Sequence, residues 1–141
     1  MPSADGYTDT VSSALERSMS ANTSVRIDAI EKLAPWASQS AVLARLSDML
    51  HDQNVTVMID ATEALARNGG KVGIRAIAAE IGRTPDDPDA DYIMYKIEEL
   101  EALGEVPILD TLRSFDVLAE TDDFRAGLAQ IERCMGHHNP R

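Results

Sequence analysis

A seven-residue pattern occurs twice in this chain, 32 residues apart, and this internal repeat constrains the fold more than any other feature. Asp-Ala-Ile-Glu-Lys-Leu-Ala at 28–34 matches Asp-Ala-Thr-Glu-Ala-Leu-Ala at 60–66. A second segment follows each copy, with apolar residues that correspond at a shift of 31: Leu43, Leu46 and Leu50, then Ile74, Ile77 and Ile81. A period of about 20–50 residues is typical of arrays in which one supersecondary unit stacks on the next.

The spacing of apolar residues predicts that each repeat unit is a pair of α-helices. In the first helix of both units an apolar residue stands at every fourth position: Val25, Ala29 and Leu33, then Val57, Ala61 and Leu65. This spacing forms one apolar stripe, and the small alanine within it lets a neighbouring helix approach closely. Asn22 and Asn54 precede the stripes and supply oxygens that cap a helix N-terminus. The Asn-Gly-Gly run at 68–70 and Gly104 are expected to end helices in left-handed turns.

A third, degenerate unit follows an enlarged loop in which Pro85 and Pro88 forbid a continuous helix. Its first helix is predicted over about 91–103, with Ile93, Ile97 and Leu100 inward. The flanking helices carry stripes of their own: Val11, Leu15 and Met19 in the first, and Phe124, Leu128, Ile131 and Met135 in the last. Thr121 is the expected N-cap of the last helix.

No segment shows the alternation of apolar and polar residues that is typical of a strand. We therefore predict a single all-α domain over residues 1–141, a short right-handed α-solenoid of about three helical hairpins with flanking N- and C-terminal helices. The repeats are expected at about 22–51, 52–83 and 89–116, and the flanking helices at 8–20 and 121–135.

The repeat units resemble HEAT and HEAT-like repeats, whose first helix reads roughly Val-Arg-x-x-Ala-x-x-Ala-Leu. Val25-Arg26-x-x-Ala29-x-x-x-Leu33 and Val57-x-x-x-Ala61-x-x-Ala64-Leu65 follow this pattern. Leu50-x-Asp52 resembles the aspartate-bearing link between units, whereas Met58 stands where the pattern has arginine. The resemblance covers about residues 22–115. It implies a curved stack of helices that presents a broad surface to a protein partner.

Negative charge is concentrated in one part of the sequence. The chain has a formal charge of −11, and residues 86–123 alone contain thirteen acidic and two basic side chains, Lys96 and Arg113. A one-sided negative field attracts basic surfaces and repels phosphate backbones, so nucleic acid is not expected as a partner. The segment therefore favours a basic protein partner. The alternative is a solvated helical face that serves only solubility.

Tyrosines beside the carboxylates indicate where such a partner binds, because amphipathic aromatic residues are enriched in interface hot spots. Tyr95 aligns with the core positions Val25 and Val57 and is expected to point inward, whereas Tyr92 is expected to point outward. The predicted partner-binding residues are Asp86, Asp87, Asp89, Asp91, Tyr92, Glu98, Glu99, Glu101 and Glu105.

Patterns that carry catalysis or metal binding are weak in this chain. Asp87, Asp89, Asp91 and Glu98 match four positions of a calcium loop, but Tyr92 occupies the position that needs glycine. Cys134, His137 and His138 resemble part of a zinc site at a chain end. Neither a nucleophile with a recognisable histidine and acid partner nor a phosphate-binding loop is evident. We therefore predict no catalytic, cofactor or metal site, and a non-enzymatic protein.

The expected location is cytoplasmic. No apolar run approaches the roughly 18–20 residues that span a bilayer, and residues 1–6 lack the basic and apolar regions of a signal peptide. Cys134 is the only cysteine, which fits a reducing compartment. The chain is expected to be a monomer on its own, without membrane association.

The leading functional hypothesis is a protein-binding module that offers its acidic segment to a basic partner. The most specific form of this hypothesis is an immunity protein or antitoxin that neutralises a toxin such as a nuclease, because carboxylates can stand in for the phosphates of the substrate. The alternatives are a HEAT-like enzyme or enzyme accessory of the bilin lyase type, and a scaffold or adaptor of a larger complex.

Overall fold

Eight α-helices and no strand occur in the part of the chain that the computed structural model describes, residues 4–136, with side chains from residue 10 onward. The helices are α1 (Ala4–Arg17), α2 (Thr23–Leu33), α3 (Ser40–Asp48), α4 (Val55–Asn68), α5 (Gly70–Arg83), α6 (Ala90–Ala102), α7 (Ile108–Arg113) and α8 (Asp122–Met135). Short 3-10 turns lie at Ala34–Trp36, Met49–His51 and Val117–Ala119. The predicted all-α class is confirmed.

The predicted helix ends are confirmed at several positions. The side chains of Asn22, Asn54 and Thr121 accept hydrogen bonds from backbone N–H groups two or three residues later, at 2.9, 3.2 and 3.1 Å. Each of them thereby satisfies one of the N–H groups that a helix N-terminus leaves unpaired. Gly70 and Gly104 adopt left-handed φ angles of 62° and 72°, which a residue with a Cβ adopts only under strain.

Equivalent helices of successive repeat units pack side by side. α4 contacts both α2 and α6, and α5 contacts both α3 and α7, while α4 and α5 pack on each other within their own unit. The small side chains of Ala29 and Ala61 are fully buried where α2 and α4 meet their neighbours. The order of contacts therefore follows the order of the sequence repeat.

The last helix packs along α5 more closely than any other two helices pack together. Gly82 of α5 and Gly127 of α8 bring the two backbones into contact. A Cβ at Gly127 would lie 2.6 Å from the carbonyl carbon of Ala78 and would overlap its oxygen. Phe124, on the same helix, is fully buried. This contact fixes α8 beside the helical units.

The stripe predicted for the first helix extends too far. Val11 is buried and Leu15 is half-buried, but Met19 is 67% exposed. The reason is that α1 ends at Arg17, three residues before the predicted end, so the helical spacing no longer applies to Met19. Arg45 stabilises this end of α1, since its guanidinium donates to the Ser18 carbonyl oxygen at 2.9 Å.

A largely buried ion pair links α2 to the segment that enters α4. Arg26 donates two hydrogen bonds to the carboxylate of Asp52, at 3.1 and 3.0 Å, and both side chains are less than 15% exposed. Asp52 also accepts the backbone N–H of Asn54 at 2.9 Å, so one carboxylate holds both the helix and the link. Met58, which stands where the HEAT pattern has arginine, is buried in the core.

Buried polar side chains are all satisfied in the described residues. Thr62 donates to the Met58 carbonyl oxygen at 2.8 Å, and the carboxylate of Glu80 pairs with Arg83. His51 lies at the surface 3.5 Å from the same carboxylate. None of the helices between residues 4 and 136 has both the length and the apolar character needed to cross a bilayer.

Candidate protein-binding surface

The predicted partner-binding residues lie on α6 and on the loops before and after it. Asp86, Asp87 and Asp89 are exposed on the preceding loop, where Asp87 accepts the backbone N–H of Asp89 at 2.9 Å. α6 packs against α4, α5 and α7 through Ile93, Ile97 and other buried side chains, as the sequence predicted. Its opposite face is left to solvent.

Carboxylates and tyrosines share this outward face of α6. Asp91, Tyr95 and Glu98 follow one line along the helix at i, i+4 and i+7, and Tyr92 and Glu99 follow the adjacent line. Tyr92 is 41% exposed and Tyr95 is 63% exposed. Their rings pack edge to face, with centroids 6.5 Å apart and an angle of 86° between the planes. Large aromatic surface and negative charge therefore occur together.

The inward orientation predicted for Tyr95 is wrong. Tyr95 stands two residues from both Ile93 and Ile97, which places it about 200° around the helix from them. Ile93 and Ile97 are buried, so Tyr95 is on the opposite, exposed side. The sequence already contained this signal, because the spacing within the helix conflicts with the alignment to Val25 and Val57.

Cations partly neutralise two of the predicted acids. Lys96 lies 2.6 Å from Glu99 and 3.4 Å from Glu63 of α4. Arg67 of α4 pairs with Glu105 and also with Glu63, at 2.7 Å. The hydrogen bond to Glu99 raises the pKa of Lys96, and the hydrogen bond from Arg67 lowers the pKa of Glu63, so both groups stay charged near neutral pH.

Glu101 has a role inside the fold. Its carboxylate is half-buried and accepts the backbone N–H of Leu109, the second residue of α7, at 2.9 Å. This bond satisfies one of the unpaired N–H groups at the start of α7 from the end of α6. Further along the acidic segment, Glu120 lies 3.7 Å from Arg75, and Asp122 pairs with Arg125.

The carboxylates of four of the predicted acids have neither a cation nor a hydrogen-bond donor as a partner among the described residues. Asp86, Asp89, Asp91 and Glu98 form neither an ion pair nor a side-chain hydrogen bond with any residue whose side chain the structure describes. They lie on α6 and at its N-terminal end, around the two exposed tyrosines. We call Asp86, Asp89, Asp91, Tyr92, Tyr95 and Glu98 the α6 acidic surface.

A groove between α2 and α4 adds acids that the sequence reasoning missed. It measures about 330 Å³, and its lining includes Glu31, Asp60 and Glu63 beside apolar residues such as Ile27 and Ile30. Arg67 also lines the groove and pairs with Glu63, which contacts Lys96 of α6 as well. These acids lie outside residues 86–123, in the remainder of the chain where eleven acidic and eleven basic side chains balance, so counting charge by segment could not find them.

Asp60, at this groove, carries a charge that the fold disfavours. Burial raises its pKa above the ordinary 3.8, the nearby Glu63 raises it further, and Lys96 opposes the shift. The folded state therefore holds the Asp60 proton more tightly than the unfolded chain does. One pKa is that of Asp60 in the unfolded chain, and the other is its higher pKa in the folded state. Between these two values the folded state binds more protons, so the free energy of unfolding falls as pH rises through this interval.

We accordingly expect Asp60→Asn to raise the melting temperature at pH 7. The difference from the unmodified protein should shrink as pH falls and vanish below about pH 3.8, where both forms are uncharged at this position. Thermal unfolding by circular dichroism at several pH values measures this. The exposed Asp28, changed to Asn, is the matched control and should leave the melting temperature unchanged. A lower melting temperature for Asp60→Asn at pH 7 would contradict the account.

Metal ligands do not converge in the described residues, where no group of three or more His, Cys, Asp or Glu side chains is placed to hold an ion. The calcium-loop acids are split between the loop and α6, with Asp91 and Glu98 seven residues apart along the helix. Cys134 is half-buried near the end of α8, and His137 and His138 lie outside the described residues.

Comparisons of this chain with protein-family models, with curated proteins and with solved structures give no match.

Proposed function

We propose that this protein is a non-enzymatic binding module that captures a basic protein through the α6 acidic surface. The observation that carries the proposal is that Asp91 and Glu98 lack a cation within the described structure and flank Tyr95, which is 63% exposed. Uncompensated charge speeds the encounter with a basic surface, and exposed tyrosine offers large contact area at low entropic cost.

A HEAT-like solenoid is the architecture that we propose for this module. Three observations support it: the repeat at a shift of 32 residues, the side-by-side packing of α2, α4 and α6, and the Arg26–Asp52 pair at the link between units. Each unit of such an array contacts its neighbours and leaves an extended face for a partner.

The narrower proposal is an immunity protein or antitoxin in the cytoplasm that neutralises a basic toxin such as a nuclease. A nuclease needs a positively charged cleft to hold phosphates. The carboxylates of the α6 acidic surface are suited to occupy that cleft in place of the phosphates, which would block access of the substrate.

Site-specific crosslinking tests which surface meets the partner. A photoreactive amino acid at position 95 is expected to crosslink one basic protein in the cells that make this chain. The same group at position 19, which follows the end of α1 and where Met19 is 67% exposed, should not crosslink that protein. Several proteins captured from both positions would favour a scaffold, and a captured pigment would favour an enzyme of the bilin lyase type.

Charge removal on α6 is expected to weaken binding of that partner by about tenfold or more, which is about 1.4 kcal/mol. The test variant is the double change Asp91→Asn and Glu98→Gln, measured as Kd and association rate by surface plasmon resonance. Most of the loss should appear in the association rate, and the association rate of the unmodified protein should fall steeply as salt rises.

The matched control is Glu16→Gln with Asp28→Asn, which removes one aspartate and one glutamate charge from exposed positions on α1 and α2. Both variants have the same net charge, so a nonspecific charge effect changes them equally. Equal affinities for the two variants would refute the role of α6. If the partner is a nuclease, one equivalent of this protein should stop its cleavage of nucleic acid, and continued cleavage in the complex would refute the immunity proposal alone.

A further inference from the structure

The exposed tyrosines form part of a hollow between α4 and α6. Ile59, Tyr92, Tyr95, Lys96 and Glu99 line this hollow, which measures about 210 Å³. Sites for small molecules usually measure about 300–1,000 Å³, so the hollow is better suited to one side chain than to a cofactor.

The tyrosine pair leaves aromatic surface uncovered. In an edge-to-face pair only one of the four ring faces is covered by the other ring, and the rings of Tyr92 and Tyr95 meet at 86°. Exposed ring faces attract cations through the aromatic quadrupole, most often the planar guanidinium of arginine. The apolar side chain of Ile59 completes the wall and is only partly covered by the fold.

Carboxylates around the hollow complement a cation. Glu99 lines the hollow itself, and Asp91 and Glu98 lie on the same face of α6. Lys96 is also at the hollow, but it is shared between Glu99 at 2.6 Å and Glu63 at 3.4 Å. Lys96 therefore keeps a carboxylate partner when Glu99 turns to an incoming cation, and the local charge remains negative.

We propose that this hollow receives an arginine side chain of the basic partner, stacked on a tyrosine ring and hydrogen-bonded to Glu99. This inference rests on the proposed function and adds a chemical preference to it. Lysine has the same charge but no planar group to stack or to bind a carboxylate through two parallel hydrogen bonds. The hollow thus distinguishes arginine from lysine, which net charge alone does not.

Two short peptides of equal charge, hexa-arginine and hexa-lysine, test the inference by fluorescence anisotropy at fixed ionic strength. The unmodified protein is expected to bind hexa-arginine about fivefold more tightly than hexa-lysine. The double variant Tyr92→Leu and Tyr95→Leu keeps apolar side chains but removes the rings, and it should bind both peptides equally. Its hexa-lysine affinity should stay within about twofold of the unmodified protein, and an unchanged melting curve confirms that it folds.

The outcomes separate this inference from the proposed function. Equal affinities in the unmodified protein, or an arginine preference that survives in the leucine variant, overturn the arginine hollow. The variant with Asp91→Asn and Glu98→Gln tests the charge of the surface, and it should lose affinity for both peptides while keeping the ratio between them. A hexa-lysine affinity that does not change in this variant overturns the proposed function, and failure of both peptides to bind overturns both.

Discussion

Replacing Gly127 by alanine is expected to destabilise the protein by about 3 kcal/mol or more. The added Cβ would lie 2.6 Å from the carbonyl carbon of Ala78 and 3.1 Å from the backbone nitrogen of Gly82. Backbone atoms of α5 cannot rotate out of the way as the end of a side chain can, so the two helices must separate. The gain of about 1 kcal/mol from placing alanine in a helix offsets only part of this cost. Urea denaturation followed by circular dichroism measures the change.

Gly136→Ala is the matched control at the end of the same helix. A Cβ at Gly136 would meet only the end of the Arg113 side chain, at 3.9 Å. Its φ of −61° is also one that alanine adopts without strain. This variant should therefore be as stable as the unmodified protein. If Gly127→Ala and Gly136→Ala unfold at the same urea concentration, α8 does not pack on α5 as described.

Replacing Asp52 by asparagine is expected to cost about 3 kcal/mol, because it leaves the largely buried Arg26 without a carboxylate. The asparagine amide presents one oxygen where the carboxylate presents two, and its NH₂ group faces an arginine donor. The bond from the Asn54 N–H to the same carboxylate is weakened as well. The measurement is again the free energy of unfolding in urea.

Asp122→Asn serves as the control because it makes the same chemical change in an exposed ion pair. Asp122 is 95% exposed where it pairs with Arg125, and exposed pairs contribute only about 0–1 kcal/mol. The loss should therefore be much smaller than at Asp52. A cost below about 1 kcal/mol at Asp52 would show that the Arg26–Asp52 pair does not hold α2 to the link before α4.

Sequence reasoning succeeded where the physics is local. The caps at Asn22, Asn54 and Thr121 and the left-handed turns at Gly70 and Gly104 depend on residues within one helical turn, so the sequence alone could predict them. The buried residues of α6 and α8 followed in the same way from helical spacing.

Contacts between distant parts of the chain were not predicted, because no local pattern encodes them. Gly82 and Gly127 are 45 positions apart, and neither glycine signals by itself that it meets the other. The cation that pairs with Glu105 is Arg67, which lies outside the acidic segment. Counting charge by segment therefore overstated how many carboxylates near α6 lack a cation.

The nine predicted binding residues include carboxylates that have a partner within the fold and carboxylates that have none among the described residues. Glu105 pairs with Arg67 and Glu101 caps α7, because neighbouring helices bring these donors to them, whereas Glu99 pairs with Lys96 of α6 itself. Asp91 is exposed and Glu98 is half-buried, and neither forms an ion pair with a described side chain. Composition showed that negative charge is present, whereas the arrangement of helices decides which carboxylates are open to a partner.

A direct measurement of surface potential tests the central claim without any partner. Paramagnetic cosolutes of opposite charge enhance the relaxation of nearby amide protons in proportion to their local concentration, so the ratio of the two effects reports the potential at each residue. The account predicts the most negative values at amides of residues 86–99, and a clear loss there in the variant with Asp91→Asn and Glu98→Gln. A uniform potential over the molecule, or a minimum elsewhere that this variant leaves unchanged, would contradict it.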